Sequence, residues 1–282
     1  MLQAAEKRSG VSAAAETERV SIYQPEQAGL AFPQVPVFDD PAAERQHRKE
    51  RLVAACRAFS LQGFDYGFAG HISVRDPEHP HLYWTNPMAV HFNQVKLSNL
   101  VLADHEGTVV EGRHALNRAG FVLHAAIHEA QPDIVAVCHA HTLYGTAFAA
   151  LGKPLAPISQ DACAFFDDHK VVADEAGAVT VKDGSGNGIA EAFANVRAVI
   201  HQNHGLLTAS RHSVDDAAFW FIALERCCQQ QLAVEATGQV SKLVAPERAR
   251  HSREHVGNDF IGWLHFQTIW SDLQNSQPDM FD

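Results

Sequence analysis

The hydrophobic and polar positions of this chain repeat with helical spacing in some stretches and with strand spacing in others. Apolar residues three and four apart predict helices at 41–61, 118–130 and 213–236, the first opened by Pro41 and the last capped by Ser213. Short apolar or alternating runs predict strands at 67–75, 82–85, 100–103, 108–110, 134–138, 171–172, 179–181, 196–200 and 206–209. Helices interspersed with hairpin-like strands indicate an α/β domain with substantial antiparallel pairing.

The same patterns divide the chain into three parts. Residues 1–40 contain several prolines that interrupt regular structure, so we expect an N-terminal arm there. Residues 41–240 carry the predicted helices and strands of one domain. Residues 241–282 contain an aromatic stripe at helical spacing, which predicts a C-terminal helical extension that packs on the core or on a neighbouring subunit.

Composition narrows the class of protein. The 282 residues are 46% hydrophobic and carry a formal net charge of -11, with no basic block, so nucleic acid and anionic membranes are not expected partners. The five cysteines show no CxxC spacing, and no run approaches the roughly 18 apolar residues of a membrane span. We therefore expect a cytoplasmic globular protein without a membrane partner.

Histidines at the ends of two apolar runs suggest a metal site. His139 and His141 are one residue apart, so on an extended strand they project to the same side. His204 follows a second strand-like run and is a third candidate ligand, whereas His201 falls on the opposite side and is better explained as structural. Three imidazoles suit zinc with one position left for water or substrate. With 18 histidines in the chain, such spacing can also arise by chance.

Two further patterns are ambiguous. His124 and His128 lie four residues apart on the helix predicted at 118–130, and therefore share a face. The glycine-rich segment at 184–188 lacks the GxGxxG spacing, so it predicts a loop rather than a dinucleotide site.

The ordered motifs resemble those of the class II aldolase/adducin family from about residue 45 to residue 240. They read GHISVR, LYWTNP, a histidine-bearing helix followed by PD, VCHAHT, PIS and NHGLL. The resemblance implies a three-layer α/β/α domain with a mostly antiparallel central sheet, and a fourfold-symmetric homotetramer with active sites between subunits. It also implies that His139, His141 and His204 bind Zn²⁺, or another divalent ion such as Mn²⁺, Fe²⁺ or Co²⁺.

The chain departs from the sugar-phosphate aldolases of that family at their substrate positions. Their Ser-Ser-Glu segment, whose glutamate binds metal and moves a proton, corresponds here to residues 118–120 and ends in Gly120. Their phosphate-binding loops correspond to residues 70–73 and 86–89, where Met88 replaces a serine donor. The candidate substrate-binding residues by position are Ser73, Asn86, Arg118 and Gly120. We expect a small substrate that lacks phosphate.

The resulting hypothesis is a metal-dependent lyase, or an enolising isomerase or decarboxylase, acting on a hydroxy-carbonyl compound. The candidate catalytic residues are Asp161, Tyr144 and His71, each of which also has an ordinary structural explanation. One alternative is a catalytically inactive, adducin-like assembly or binding module, favoured by the amino-acid sequence of residues 117–121, which resembles adducin more than the aldolases. Another is a zinc hydrolase, which needs only the three histidines and water.

Overall fold

The computed structural model describes residues 22–173 and 187–282. Helices α1 to α8 span Pro41–Leu61, Arg118–Ala130, Leu143–Ala149, Gln160–Cys163, Asn187–Ala192, Val214–Ala236, Pro246–Val256 and Asp259–Ser276. Strands β1 to β8 span Gly70–Arg75, Leu82–Thr85, Val101–Asp104, Val109–Glu111, Ala136–Ala140, His169–Val172, Ala198–His201 and Gly205–Ser210. The strand predicted at 179–181 and most of the glycine-rich loop lie outside the described residues.

The eight strands of the described residues form one sheet in the order β4-β3-β2-β1-β5-β8-β7-β6. Neighbouring strands run antiparallel except β6 and β7, which are parallel. Parallel strands need a crossover connection, and α5 lies between these two strands in the chain. The predicted α/β class with a mostly antiparallel sheet is confirmed, and the β6–β7 pair makes the sheet mixed.

The central strands bury side chains in two different apolar clusters. In β5, Cys138 belongs to a cluster that includes residues of α1 and α6, whereas its neighbour Val137 belongs to one that includes residues of α2 and α5. Successive side chains of a strand point to opposite faces, so both faces of β5 are covered. This two-sided burial explains why the run at 134–138 is continuously apolar.

The predicted Ser213 cap is confirmed, and a second helix has a cap of the same kind. The Ser213 hydroxyl accepts a hydrogen bond from the Asp216 amide at 3.1 Å and caps α6, and Asn117 caps α2 by accepting from the Gly120 amide at 3.3 Å. The bounds of α1 and α2 agree with those predicted from periodicity.

Strand β5 extends further than predicted. The sequence suggested a strand that ends at Cys138, before the histidines begin. The structure continues the strand to Ala140, because His139 pairs with Leu207 and Ala140 with Leu206 on β8. His139 is therefore held inside the sheet rather than in a loop.

The C-terminal residues form α7 and α8, where a single aromatic stripe was noted in the sequence. Trp263 and Phe266 of α8 are buried, and the Arg51 guanidinium of α1 lies 3.8 Å from the ring centre of Trp270. The described residues between 33 and 282 form one compact unit, and those between 22 and 32 belong to a separate one. In the part of the chain that the structure describes, no helix is long and apolar enough to span a membrane.

Candidate metal centre

Strand register places the first candidate ligand at the centre of the sheet. His139 on β5 lies opposite His71 on β1 and Leu207 on β8. Its Nδ1 is 2.8 Å from the carbonyl oxygen of Leu206. A carbonyl oxygen can only accept, so Nδ1 donates and Nε2 of the neutral ring keeps a lone pair for a ligand.

The turn between β7 and β8 brings the third candidate ligand to the same place. Asn203 adopts a positive φ of 58°, a conformation that asparagine tolerates better than most residues. Gly205 follows, and a Cβ there would lie 3.3 Å from the Ala140 carbonyl oxygen and 3.5 Å from the His139 ring. The small residue therefore allows His204 to approach the end of β5.

The three histidines converge through their Nε2 atoms. The Nε2 of His204 is 3.1 Å from that of His141 and 3.2 Å from that of His139. Tetrahedral zinc with Zn–N bonds of about 2.0–2.1 Å would separate two ligand nitrogens by about 3.4 Å. The spacing of these nitrogens fits a divalent ion, and the burial of His139 beside the half-buried His141 and His204 leaves one side accessible.

The surroundings keep these imidazoles neutral, which is the form that binds metal. Burial lowers the pKa of His139 well below its usual value, with further lowering by the neighbouring His71, His204 and His141. Burial likewise lowers the pKa of His141, and burial together with His141 and His201 lowers the pKa of His204 to about 4. His201 is buried and stacks on His204 with ring centres 4.8 Å apart, in agreement with its predicted structural role.

His71 lies beside this cluster, with its ring centre 5.0 Å from that of His139. It also fills the space next to Gly120, where an added Cβ would lie 1.9 Å from the His71 Nε2 atom. Among the predicted catalytic residues, His71 is thus the one that the structure places against the candidate ligands.

Behind His71 a line of buried polar groups leads into the protein. Its Nδ1 is 2.7 Å from Nε2 of His124, whose Nδ1 is 2.7 Å from the Ser73 Oγ, and this Oγ is 2.9 Å from Nε2 of His128. Ser73 is fully buried and its hydroxyl lies between two imidazoles, and its role in substrate binding stays a prediction.

The other predicted site residues have different surroundings. Asn86 accepts from the Ile72 amide at 3.0 Å and donates to the Gly70 carbonyl at 3.4 Å, and it also lines a small cavity. Arg118 is exposed at the start of α2, and Tyr144 is partly exposed in the first turn of α3. Asp161 on α4 lies 3.4 Å from Gln230 of α6. These contacts do not join Asp161 to the three histidines, and its catalytic role stays a prediction.

Sequence reasoning missed Glu225, which supports the segment after His141. Its carboxylate accepts from the Thr142 hydroxyl and from the amides of Tyr144 at 2.9 Å and Gly145 at 2.6 Å, at the start of α3. Burial raises the pKa of Glu225. The available signal was a carboxylate, followed by Arg226, inside the mostly apolar stretch from Phe219 to Cys228.

The chain is similar to known proteins of one family. Residues 50–232 match the class II aldolase and adducin N-terminal domain. The chain is 41% identical over 251 residues to decarboxylase NovR of Streptomyces niveus, covering 88% of this chain and 92% of that protein. It is also 41% identical over 251 residues to the 4-hydroxy-3-prenylphenylpyruvate oxygenase/4-hydroxy-3-prenylbenzoate synthase of Streptomyces roseochromogenus subsp. oscitans, covering 88% and 90% respectively.

A solved structure extends the comparison to the fold. The L-fuculose 1-phosphate aldolase from Glaciozyma antarctica PI12 aligns with a TM-score of 0.80 and 39% identity, covering 88% of this chain and 96% of that chain. The family predicted from the motifs is confirmed: the chain belongs to the class II aldolase and adducin family.

Proposed function

We propose that this protein is a metal-dependent lyase or decarboxylase acting on a small, non-phosphorylated carbonyl substrate. The observation that carries the proposal is the approach of the Nε2 atoms of His139, His141 and His204 to 3.1 and 3.2 Å. The decarboxylase and synthase names of the two relatives, with the aldolase identity of the solved neighbour, support the same class of reaction.

His139, His141 and His204 would hold the divalent ion, with Zn²⁺ the first choice and Mn²⁺, Fe²⁺ or Co²⁺ as alternatives. When bound, such an ion supplies Lewis-acid polarisation of a substrate carbonyl. The Leu206 carbonyl and the stacked His201 ring orient two of the ligands.

We assign the proton-transfer role to His71. The resemblance to sugar-phosphate aldolases implies a glutamate at position 120, and here the His71 imidazole fills that space. An unprotonated ring nitrogen there can accept a proton from a bound substrate or hold it for return to the product. Asp161 and Tyr144 stay candidates that a neighbouring subunit could bring to the site.

The loop at residues 86–89 favours a substrate without phosphate. The Asn86 side chain is engaged by backbone groups of β1, and Met88 stands where sugar-phosphate aldolases have a serine. Backbone and hydroxyl donors for a phosphate are therefore few. Within this class, the named activity of the second relative favours a 2-oxo or 2-hydroxy acid with an aromatic side chain.

That relative also suggests a second candidate function, oxidative decarboxylation with iron and dioxygen, because its printed name includes an oxygenase. Imidazole ligands suit iron as well as zinc. An inactive adducin-like module is the third possibility, favoured by the missing glutamate at Gly120.

The test combines metal analysis with a substrate panel. Protein purified without chelator is analysed for metal, and 2-oxo and 2-hydroxy acids, with and without phosphate, are assayed for carbon dioxide or aldehyde release under zinc or iron, with and without dioxygen. We expect a single bound ion per chain and turnover that chelator abolishes. His139→Ala should lose both, whereas the exposed His114→Gln control should lose neither. Protein that takes up none of zinc, manganese, iron or cobalt would overturn the proposal.

The proposal also includes the arrangement of layers, the oligomeric state and the location of the protein. Apolar clusters on both faces of β5 support a three-layer arrangement. A homotetramer and a cytoplasmic location follow from the resemblance and from the composition, and size-exclusion chromatography with light scattering tests the oligomeric state.

A further inference from the structure

We infer that His128, Ser73 and His124 form a directional hydrogen-bond chain that fixes the tautomer of His71. In this series of hydrogen bonds the carbonyl oxygen of Ile134 is the terminal acceptor. His71 is left with a hydrogen on Nδ1 and a bare lone pair on Nε2. The three residues are positioning residues, and the inference rests on the proposed function only for the role of His71 as a base.

The donor and acceptor roles along these hydrogen bonds are determined at His128, the residue furthest from His71. His128 Nδ1 lies 3.3 Å from the Ile134 carbonyl oxygen and 3.4 Å from Nη2 of Arg75. The Arg75 Nη2 has two hydrogens, and it already donates to the carbonyl oxygens of His128 at 2.6 Å and Gln131 at 3.3 Å. Of the three acceptors around Nη2, Nδ1 is the most distant, and the nearby Ile134 oxygen can only accept, so we take Nδ1 of His128 as the donor to Ile134.

The remaining hydrogens then follow one by one. A neutral imidazole carries one hydrogen, so Nε2 of His128 accepts, and the Ser73 hydroxyl donates its only hydrogen to it across 2.9 Å. The Ser73 Oγ can now only accept, and it accepts from Nδ1 of His124 at 2.7 Å.

The last link is between the two remaining imidazoles. Nε2 of His124 is left as an acceptor, so Nδ1 of His71 must donate to it across 2.7 Å. The Nε2 of His71, the atom beside Gly120, keeps its lone pair.

The surroundings favour the neutral form of the imidazoles in this hydrogen-bond chain. Ser73 and His128 are fully buried and His124 is 1% exposed, so water does not compete for these bonds. Burial lowers the pKa of His124 well below its usual value, and burial together with the Arg75 charge lowers the pKa of His128 to about 3. The guanidinium at the deep end therefore disfavours a charged His128.

The hydrogen-bond chain determines whether Nε2 of His71 presents a lone pair or an N–H group to a substrate. With the hydrogen on Nδ1, the Nε2 atom beside Gly120 can remove a proton, whereas the other tautomer would present an N–H group there and could not. The orienting carboxylate of serine proteases acts in the same way, by holding a catalytic imidazole in the required tautomer. Here a carbonyl, two imidazoles and a hydroxyl replace that carboxylate.

Neutron crystallography of the zinc-loaded full chain after deuterium exchange tests the inference without an activity assay. We expect deuterons on Nδ1 of His128, His124 and His71, the Ser73 hydroxyl directed at His128, and no deuteron on Nε2 of His71. A deuteron on Nε2 of His71 with a bare Nδ1 would overturn the inference.

The same map contains an internal control. His169 must carry its hydrogen on Nδ1, because that atom is 2.7 Å from the Phe165 carbonyl oxygen while its Nε2 accepts from the Leu155 amide at 3.0 Å. Correct assignment of His169 shows that the map resolves tautomers.

A kinetic test follows where a substrate is found. Ser73→Ala removes the link, and we expect kcat to fall about 10- to 100-fold with little change in KM or zinc content. Ser73→Thr retains a hydroxyl and should retain most of kcat, and the exposed His114→Gln control should behave as wild type. A Ser73→Ala protein with wild-type kcat would contradict the inference. The neutron map decides the tautomer even if no substrate is found or Ser73→Ala fails to fold, so failure of the proposed function is distinguishable.

Discussion

The imidazole of His71 occupies the space that a side chain at Gly120 would need. A Cβ built on Gly120 would lie 1.9 Å from Nε2 and 2.1 Å from Cδ2 of His71. The resemblance to sugar-phosphate aldolases implies a glutamate at position 120 and a residue of a phosphate-binding loop at position 71. The two departures from that pattern therefore lie at the same place, where an imidazole from β1 fills the space beside the start of α2.

This relationship predicts that even alanine at position 120 destabilises the protein. His71 is buried and hydrogen-bonded to His124, so it cannot move aside without breaking that bond. We expect Gly120→Ala to lower the free energy of unfolding by about 1–3 kcal/mol, the usual cost of overpacking, although alanine favours helices. Urea unfolding monitored by circular dichroism measures the change.

A double-mutant cycle with His71→Asn provides the control. The shorter asparagine leaves room for the added methyl group, so Gly120→Ala should cost little or nothing in that background. Equal costs in both backgrounds would show that the two residues do not compete for space.

Metal binding should stabilise the fold. An ion that binds the folded chain alone adds about 2.7 kcal/mol when its free concentration is 100 times Kd. We expect zinc to raise the Tm of apoprotein in differential scanning fluorimetry and chelator to reverse the shift. His139→Ala should abolish the shift and His114→Gln should preserve it. A zinc-induced shift that survives in His139→Ala would place the binding site elsewhere.

The sequence predicted what depends on local chemistry. The bounds of α1 and α2 follow from proline, caps and apolar spacing, and the family motifs identified all three candidate ligands. Helix α7 was not predicted as a separate helix within the helical extension at 241–282, because its sequence is mostly polar and only Ala249 is buried.

Relationships that depend on strand register could not be read from the sequence. His124 and His128 were visible as a pair on one helix face, but their shared partner Ser73 comes from β1, which the β1–β5 pairing brings next to the ligands. The extension of β5 through His139 has the same cause, since it depends on the ladder with β8.

Stability should also depend on pH through Asp216, a buried residue of α6. Burial raises its pKa to about 7, from about 3.9 in an unfolded chain. Between these values the folded protein holds a proton that the unfolded chain has released, so stability falls as pH rises through this window and levels off above it. The slope for one group is at most about 1.4 kcal/mol per pH unit.

The matched variant is Asp216→Asn, which imitates the protonated side chain and does not titrate. We expect the difference in unfolding free energy between variant and wild type to grow in favour of the variant from pH 5 to pH 7. Urea titrations at several pH values give this difference. A difference independent of pH would show that Asp216 is ionised in the folded protein across the range.

Glu225 links the stability of α3 to the position of His141. Its carboxylate accepts from Thr142, the residue after this ligand, and from two amides at the start of α3. Glu225→Gln keeps the shape but replaces one acceptor oxygen with an amide that faces other donors. We expect a loss of about 1–3 kcal/mol in unfolding free energy, the usual cost of an unsatisfied buried group.

The same variant should weaken zinc binding, because the segment that orients His141 loses its anchor. Loss of groups that support metal ligands lowers affinity by about 10- to 100-fold, and we expect the lower end here, since Glu225 contacts the neighbour of the ligand and not its ring. Competition with a chromophoric chelator measures the affinity. Glu235→Gln is the control. The Glu235 carboxylate lies 2.7 Å from Lys153 Nζ, in a part of the protein away from the metal ligands, so this substitution should leave zinc affinity unchanged. If Glu225→Gln binds zinc as tightly as Glu235→Gln, the start of α3 does not determine the position of His141.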